Sequence, residues 1–278
     1  MPALGMPTRS LSAPEARSSA EQRVHFLLVE ARLLGASLPP LFTWLQLCEL
    51  IASCKLAALK RHPQLEALYT GQFNPAVKLA YGSTEAYLRK QLGWGPDQQK
   101  QGQYWERTGD TRVRLNDWGY AVPRDVIHYV VWVPLPLFHP LLCSPPATPA
   151  STSSLPTSLS SSPTGSLLAA PSPTAPPLPN PLLTSAPTKT TWDFICRNGL
   201  SGLTGEAART RRIEEGRQEE DEDPGREIAA FVRETWKAED GWETAWFANP
   251  PALQSVPGLA HFHVLARKTD RSPKSGRA

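Results

Sequence analysis

The feature that most constrains this chain is a segment at 144–190 in which three residue types dominate. Its 47 positions hold 12 Pro, 11 Ser and 8 Thr, with no aromatic residue and a single charge, that of Lys189. Such a segment buries too little apolar surface to offset the entropy of ordering its backbone, so we expect it to be disordered. It therefore separates two folded blocks, about 24–142 and 226–268, which we predict to form one domain.

The segments that flank the two blocks are also expected to lack a fold. We assign 1–23 and 269–278 to disordered tails, because chain termini are ordered only where they are tied down. The Ser/Thr/Pro segment belongs to a longer insert, 143–225, which we predict to be mostly disordered or of low complexity. Its last part carries the acidic run EEDED at 219–223, which is typical of a solvated stretch.

Helical patterns come first and strand patterns follow. Thr43 and Gln46 have the spacing of a capping box, which predicts a helix that runs on to Ala52. Further helical turns are predicted at 55–61, 64–69, 75–81, 84–92 and 226–237, and strands at 112–115, 126–133, 243–247 and 260–267. This order predicts an α+β fold, in which N-terminal helices pack with a small antiparallel sheet that the long Ser/Thr/Pro insert interrupts.

Composition excludes several classes of partner. The 29 Lys and Arg residues against 26 Asp and Glu leave a net charge of +3, too close to balance to indicate nucleic acid. No apolar run approaches the roughly 18 residues that cross a bilayer, so we expect no membrane partner. The four cysteines show neither a disulfide framework nor a zinc-site spacing. They favour a reducing compartment, and we predict a cytoplasmic protein with no cofactor.

Three histidines are candidate catalytic residues. His261 and His263 lie two positions apart in a predicted strand, so their side chains share one face. His128 lies in the other strongly predicted strand, and if the strands are neighbours the three imidazoles line one pocket. Three uses stay open: ligation of a metal, acid–base or nucleophilic chemistry at phosphorus, and a structural role with each ring hydrogen-bonded in the core. No carboxylate stands at a spacing that would favour the metal.

Six further residues are candidate ligand-binding residues: Asn116, Asp117, Trp118, Trp132, Trp246 and Asn249. The tryptophans could stack a sugar or a base, although packing in a core is their commoner role. Asn116 and Asp117 could bind hydroxyl groups of a ligand, or they could cap a turn. Lys55, Lys60 and Arg61 form a basic group that we expect to be solvated.

Several motifs in the same order resemble the fungal N-acetylglucosamine-induced protein family. They are FTW at 42–44, ELIASCKLAALKRHP at 49–63, YGSTEAYLRKQLGW at 81–94, NDWGYAVPRDVIHYVVWVPLP at 116–136 and WFANPPALQSVPGLAHFHVLAR at 246–267. The resemblance covers the two folded blocks and skips the Ser/Thr/Pro segment. It implies a cytosolic fungal domain of unknown molecular function that is connected with the response to N-acetylglucosamine.

A more distant likeness concerns the histidines. A strand with HYVVW, a helix and then a strand with H-x-H is similar to the histidine-triad superfamily of nucleotide hydrolases and transferases. That likeness implies that His263 attacks an α-phosphate and that His261 is its neighbour, while Leu265 occupies the third position of the triad.

The sequence thus leaves two functions open. The first is a non-catalytic binding or regulatory domain for a sugar or nucleotide ligand, with no protein partner specified. The alternative is a histidine-dependent nucleotidyl or phosphoryl transferase or hydrolase.

Overall fold

A computed structural model describes residues 12–95, 104–143, 189, 191–206, 208 and 224–269. In chain order its elements begin with α1 (Ala13–Ser37), α2 (Trp44–Ala52), a 3₁₀ turn (Leu56–Ala58), α3 (Pro63–Leu68), a π-helical turn (Tyr69–Phe73), α4 (Asn74–Tyr81) and α5 (Thr84–Leu92). They continue with β1 (Arg112–Leu115), β2 (Val126–Trp132), a 3₁₀ turn (Pro140–Cys143), α6 (Trp192–Asn198) and β3 (Leu200–Thr204). The last are α7 (Arg226–Thr235), a 3₁₀ turn (Ala238–Asp240), β4 (Trp242–Ala248), a 3₁₀ turn (Pro251–Leu253) and β5 (His261–Lys268).

The predicted α+β architecture is confirmed. The five strands form one antiparallel sheet in the order β1-β2-β5-β4-β3, so the strands of both sequence blocks belong to the same sheet. The strands β2 and β5 lie side by side in its centre, as the interpretation of the histidines requires.

Helices cover both faces of the sheet. On one face, α7 places Ile228 and Val232 against Phe262 and Val264 of β5. On the other face, α2 packs Leu47 and Ile51 against Phe247 and Leu265. A separate helical core joins α1 to α4 through residues that include Val24, Leu27, Val77 and Ala80. The N-terminal helices therefore cover the face to which the three histidines belong.

Local signals explain where the predicted helices begin and end. The Thr43 side chain accepts a hydrogen bond from the Gln46 N–H at 3.3 Å, and Gln46 Oε1 accepts from the Thr43 N–H at 2.8 Å. This is the predicted capping box. The Ser83 side chain caps α5 by accepting a single hydrogen bond from the Ala86 N–H, and Gly93 ends that helix in the left-handed conformation with φ 69°.

The N-terminal tail was predicted too long. Helix α1 begins at Ala13, inside the range 1–23 that we assigned to a disordered tail. Its start carries signals that would have predicted it, because Glu15 accepts from the Ser12 N–H at 2.9 Å and Pro14 lies in the first turn. Ala20 and Val24 are then buried against the helical core. Residues 1–11 lie outside the described part of the chain.

The insert was also predicted too long, because its C-terminal part is folded. Within 143–225, helix α6 is capped by Thr191, whose hydroxyl accepts from the Phe194 N–H at 3.3 Å. The chain turns at Gly199, which has φ 80°, and enters the edge strand β3. Residues 144–188 and most of 205–223 lie outside the described part, as do 270–278 of the predicted C-terminal tail. Among the described residues, no helix is long and apolar enough to cross a membrane.

We predict that Gly202→Ala destabilises the fold. A Cβ atom at Gly202 in β3 would lie 2.5 Å from Cζ2 of Trp246, a distance at which the buried indole ring must move. Overpacking of this kind costs roughly 1–3 kcal/mol in the free energy of unfolding, which urea denaturation measures.

Gly35→Ala is the matched control for that substitution. Gly35 lies inside α1, and a Cβ atom added there would meet no other atom within 4 Å, so the change raises helix propensity without a steric cost. We expect it to be neutral or stabilising by up to about 1 kcal/mol. Equal stability of Gly202→Ala and the wild type would contradict the packing described for β3 and β4.

Candidate functional site

The register of β2 and β5 brings the three predicted histidines together. Val130 is paired with His263, Trp132 with His261, and His128 with Leu265. Directly paired residues point to the same side of an antiparallel sheet, so all three imidazoles project from one face. The ring centres of His128 and His263 are 5.2 Å apart, and those of His261 and His263 are 5.4 Å apart.

Hydrogen bonds to the main chain define the protonation of His128 and His263. The backbone N–H of Tyr120 donates to His128 Nδ1 at 3.1 Å, so the proton of the neutral ring is on Nε2. That Nε2 lies 3.0 Å from His263 Nδ1 and donates to it. The proton of His263 is consequently on its Nε2, which lies 3.5 Å from Asn249 Nδ2. Both groups are donors there, so they form no hydrogen bond, which leaves the N–H of His263 available to a ligand.

His261 has the opposite arrangement of proton and lone pair. Its Nδ1 lies 2.8 Å from the carbonyl oxygen of Leu259 and donates to it. The Nε2 atom therefore carries a lone pair, and no group in the described part of the chain donates a hydrogen bond to it. The ring lies against Trp132, with ring centres 4.6 Å apart. The lone pair suited to attack a phosphorus atom thus belongs to His261, and not to His263 as the histidine-triad likeness implies.

Burial keeps all three imidazoles neutral near pH 7. Desolvation, with a smaller contribution from the charge of Arg61, lowers the pKa of His128 from 6.5 to about 3. Desolvation also lowers the pKa of His263 well below its ordinary value, and the other two histidines and Arg61 act in the same direction. The pKa of His261 is lowered by desolvation as well, against the opposing effect of its bond to the Leu259 carbonyl.

A cavity of about 190 Å³ lies between the histidine face and the N-terminal helices. We call it the aromatic chamber, because five of its lining residues are aromatic: Tyr69, Phe73, Tyr87, Trp118 and Trp132. His261 and His263 are also in its wall but His128 is not, so two of the three predicted imidazoles line this cavity. Trp118 is 7% exposed, and its indole Nε1 is buried with no hydrogen-bond acceptor among the described residues, so it is a donor that a ligand could satisfy.

The charges around the aromatic chamber are mainly positive. Arg32, Arg61 and Arg114 line it, against the single carboxylate of Asp117. Arg32 is paired with Asp117 at 2.8 Å, whereas Arg114 donates to the backbone carbonyl of Gln91 at 2.6 Å. In the part of the chain that the structure describes, Arg114 forms no ion pair. The chamber therefore favours an anionic ligand.

A second cavity of about 480 Å³, which we call the outer chamber, adjoins the first. Both chambers are lined by Arg61, Asn116, Ser255 and His263, which therefore lie between them. Arg61 is held there by two bonds of 2.8 Å, from Nε to the Trp118 carbonyl and from Nη1 to Glu66. Its guanidinium also lies 4.3 Å from the ring centre of Tyr69. The expectation that Arg61 is merely solvated is thus wrong. Glu66 and Tyr69 follow it closely in the chain, but Trp118 comes from a distant segment.

Five of the six predicted ligand-binding residues lie at these chambers, and one does not. Asn116, Asp117, Trp118 and Trp132 line the aromatic chamber, and Asn249 lines the outer one. Trp246 is the exception: it is paired with Val264 and lies on the opposite face, in the core beneath α7. The parity of the strand thus excludes Trp246 from this site.

Asn116 also has the structural role that the sequence left open. Its Oδ1 accepts from the Trp118 N–H at 3.0 Å and closes the predicted turn. Its Nδ2 is 3.3 Å from His128 Nε2, but both groups are donors there. The shorter bonds of His128 to Tyr120 and His263 therefore decide where its proton lies. The described residues contain no group of three His, Cys, Asp or Glu side chains that could hold a metal ion.

The comparisons with known proteins identify a family without a known activity. The family described as "Protein of unknown function (DUF3605)" matches residues 43–140 and 209–267, which is more than half of the chain. The crystal structure of HTC1 is similar over 84% of this chain and 89% of that one, at 21% identity and a TM-score of 0.39. No curated protein matches. None of these matches lends support to the histidine-triad likeness.

We predict that acid destabilises the fold through the buried imidazoles. Their folded pKa values lie below the value of about 6.5 in an unfolded chain, so the unfolded state binds more protons below that pH. The free energy of unfolding is therefore highest above pH 6.5. Below that pH it falls by about 1.4 kcal/mol per pH unit for each imidazole that the fold keeps neutral. Urea unfolding at pH 7, 6 and 5 measures this slope.

His128→Asn tests which groups cause the slope. Asparagine keeps an acceptor for the Tyr120 N–H but cannot take up a proton in this pH range. The slope, expressed as the number of protons taken up on unfolding, should therefore decrease by about one. His25→Gln is the control, because His25 is exposed on α1 and the slope should not change. Identical slopes for His128→Asn and the wild type would contradict the assignment.

Proposed function

The chain belongs to the DUF3605 family of proteins of unknown function, and we propose that it is a non-catalytic binding or regulatory domain for a small anionic sugar derivative. The observation that carries the proposal is the aromatic chamber, in which Arg114 has no carboxylate partner among the described residues and two neutral histidines stand in the wall. An anionic ligand would compensate the charge of Arg114. The resemblance to fungal N-acetylglucosamine-induced proteins supports amino sugars and their phosphate esters as the first ligands to test, in a cytoplasmic fungal protein.

The polar groups of the chamber suit a hydroxylated ligand. His263 offers an N–H donor and His261 a lone-pair acceptor, and a hydroxyl or an amide can satisfy either of them. The aromatic walls would pack against the apolar face of a ring in the ligand. Because burial lowers the pKa of His261 and of His263, both rings reach the ligand as neutral imidazoles near pH 7.

The absence of turnover is supported by the third triad position. Leu265 is fully buried and packs beneath α2, where it contributes no donor to a phosphate. In its tautomer, His263 also has no free lone pair with which to attack a phosphorus atom. A binding role needs neither a donor at position 265 nor a free lone pair on His263.

We predict that N-acetylglucosamine 1-phosphate binds and that Arg114→Gln weakens its binding at least tenfold. A charge-assisted hydrogen bond contributes about 1.5–3 kcal/mol, and Arg114 is exposed enough that its loss should leave the fold intact. Isothermal titration calorimetry measures the affinity, and a ligand-induced shift in melting temperature checks it independently.

Arg112→Gln is the matched control for that experiment. Arg112 lies on the same strand and the same side as Arg114, but it does not line the chamber and is paired with Asp110. Its replacement should leave the affinity unchanged. The proposal fails if no phosphate ester binds, or if both substitutions weaken binding equally.

A second candidate function rests on His261 alone. Its Nδ1–H is held by the Leu259 carbonyl and its Nε2 lone pair is free, which is the tautomer that nucleophilic attack at phosphorus requires. Attack on the α-phosphorus of a nucleoside phosphate would form a phosphorus–nitrogen bond and break the bond to the leaving phosphate oxygen. Water would then hydrolyse the nucleotidyl-histidine.

Radiolabelling distinguishes the two candidate functions. With α-³²P-labelled nucleoside triphosphates or nucleotide sugars, the transferase predicts an acid-labile label on the protein. His261→Gln should abolish that label, whereas the exposed-site variant His25→Gln should retain it. A binding domain forms no covalent intermediate, so we expect no label. A stoichiometric label that is lost only in His261→Gln would overturn the proposed binding function.

A further inference from the structure

We infer that the ligand has two lobes joined through phosphate, and that it belongs to the class of nucleoside diphosphate sugars. This inference rests on the proposed function and specifies the ligand of the same site. It starts from the two chambers, which share Arg61, Asn116, Ser255 and His263 as lining residues. A ligand that occupies both chambers would lie against these four side chains.

The groups at the junction suit a phosphate. Arg61 is 20% exposed in its side chain, and its two bonds of 2.8 Å fix the guanidinium through Nε and Nη1. Its Nη2 has no partner within the described residues, so it keeps donors for a further acceptor. His263 lines the same two chambers and adds an N–H. A guanidinium with free donors and an imidazole N–H in one wall suit phosphate oxygens, which bear charge and accept several hydrogen bonds.

The two chambers differ in the way that a base and a sugar differ. The aromatic chamber has rings of Tyr69, Phe73 and Trp118 in its wall, which offer the flat apolar contact that a nucleobase requires. The outer chamber has one such ring, Tyr120, and mixes apolar residues such as Leu56 and Leu253 with Lys60, Glu66 and Asn249, which can pair with hydroxyls. We therefore place the base in the aromatic chamber and the sugar in the outer one.

The volumes agree with a ligand that fills both chambers. At about 190 Å³, the aromatic chamber is smaller than the roughly 300–1,000 Å³ of sites that enclose a drug-sized ligand. It suits a single pyrimidine. The outer chamber of about 480 Å³ is large enough for a sugar ring, and the two combined lie well inside the usual range.

The test compares the whole ligand with its halves by isothermal titration calorimetry on the full chain. The probes are UDP-N-acetylglucosamine, uridine monophosphate and N-acetylglucosamine 1-phosphate. Because linking two bound units makes the second contact intramolecular, we expect the whole ligand to bind at least tenfold more tightly than either half.

A matched pair of variants locates the sugar lobe. Ala57 and Ala58 are both exposed in the same 3₁₀ turn, but only Ala57 lines the outer chamber. Ala57→Trp should fill that chamber and reduce the affinity for UDP-N-acetylglucosamine to that for uridine monophosphate, whose own affinity should not change. Ala58→Trp should leave all affinities as they are.

The outcomes separate this inference from the proposed function. It is overturned if UDP-N-acetylglucosamine binds no more tightly than its halves, or if Ala58→Trp weakens binding as much as Ala57→Trp. The proposed function survives such a result if N-acetylglucosamine 1-phosphate binds and Arg114→Gln weakens it. If none of the three probes binds, the proposed function fails and the inference fails with it.

Discussion

The pairing of β2 with β5 is the interaction on which the rest of this structure depends. It places Val130 opposite His263 and Trp132 opposite His261, so that residues more than a hundred positions apart share one face. A shift of that register by one residue would move His261 and His263 into the core beneath α7. The site therefore needs this one register, and the apolar residues of β5 enforce it, because Phe262 and Val264 are fully buried on the other side.

Three imidazoles beneath a helical layer are costly to bury unless they have hydrogen-bond partners. The fold supplies partners through the loop between β1 and β2. That loop brings the Tyr120 N–H to His128, and His128 in turn satisfies His263. The residues that line the chambers and the residues that stabilise the sheet are thus partly the same. A structural and a functional interpretation of these histidines do not exclude each other.

Much of this arrangement could be predicted from the sequence, since it depends on short-range patterns. The period of two in HFHV predicted that His261 and His263 share a face, and the spacing of Thr43 and Gln46 predicted the start of α2. What could not be predicted depends on contacts between distant segments. Arg32 and Arg114 converge on the aromatic chamber from a helix and an edge strand. Trp246 was misplaced for a related reason, because its side of the sheet follows from a register that the sequence alone does not determine.

The first donor in the histidine chain is a main-chain amide, and this has an evolutionary consequence. Any amino acid other than proline at position 120 retains that N–H, so substitution there leaves the proton positions of His128 and His263 unchanged as long as the loop keeps its path. Relatives could therefore vary the aromatic side chain that stacks over His128 and still inherit the same pattern of donors and acceptors. The ligands of such relatives could differ, while the proton positions of His128 and His263 stay the same.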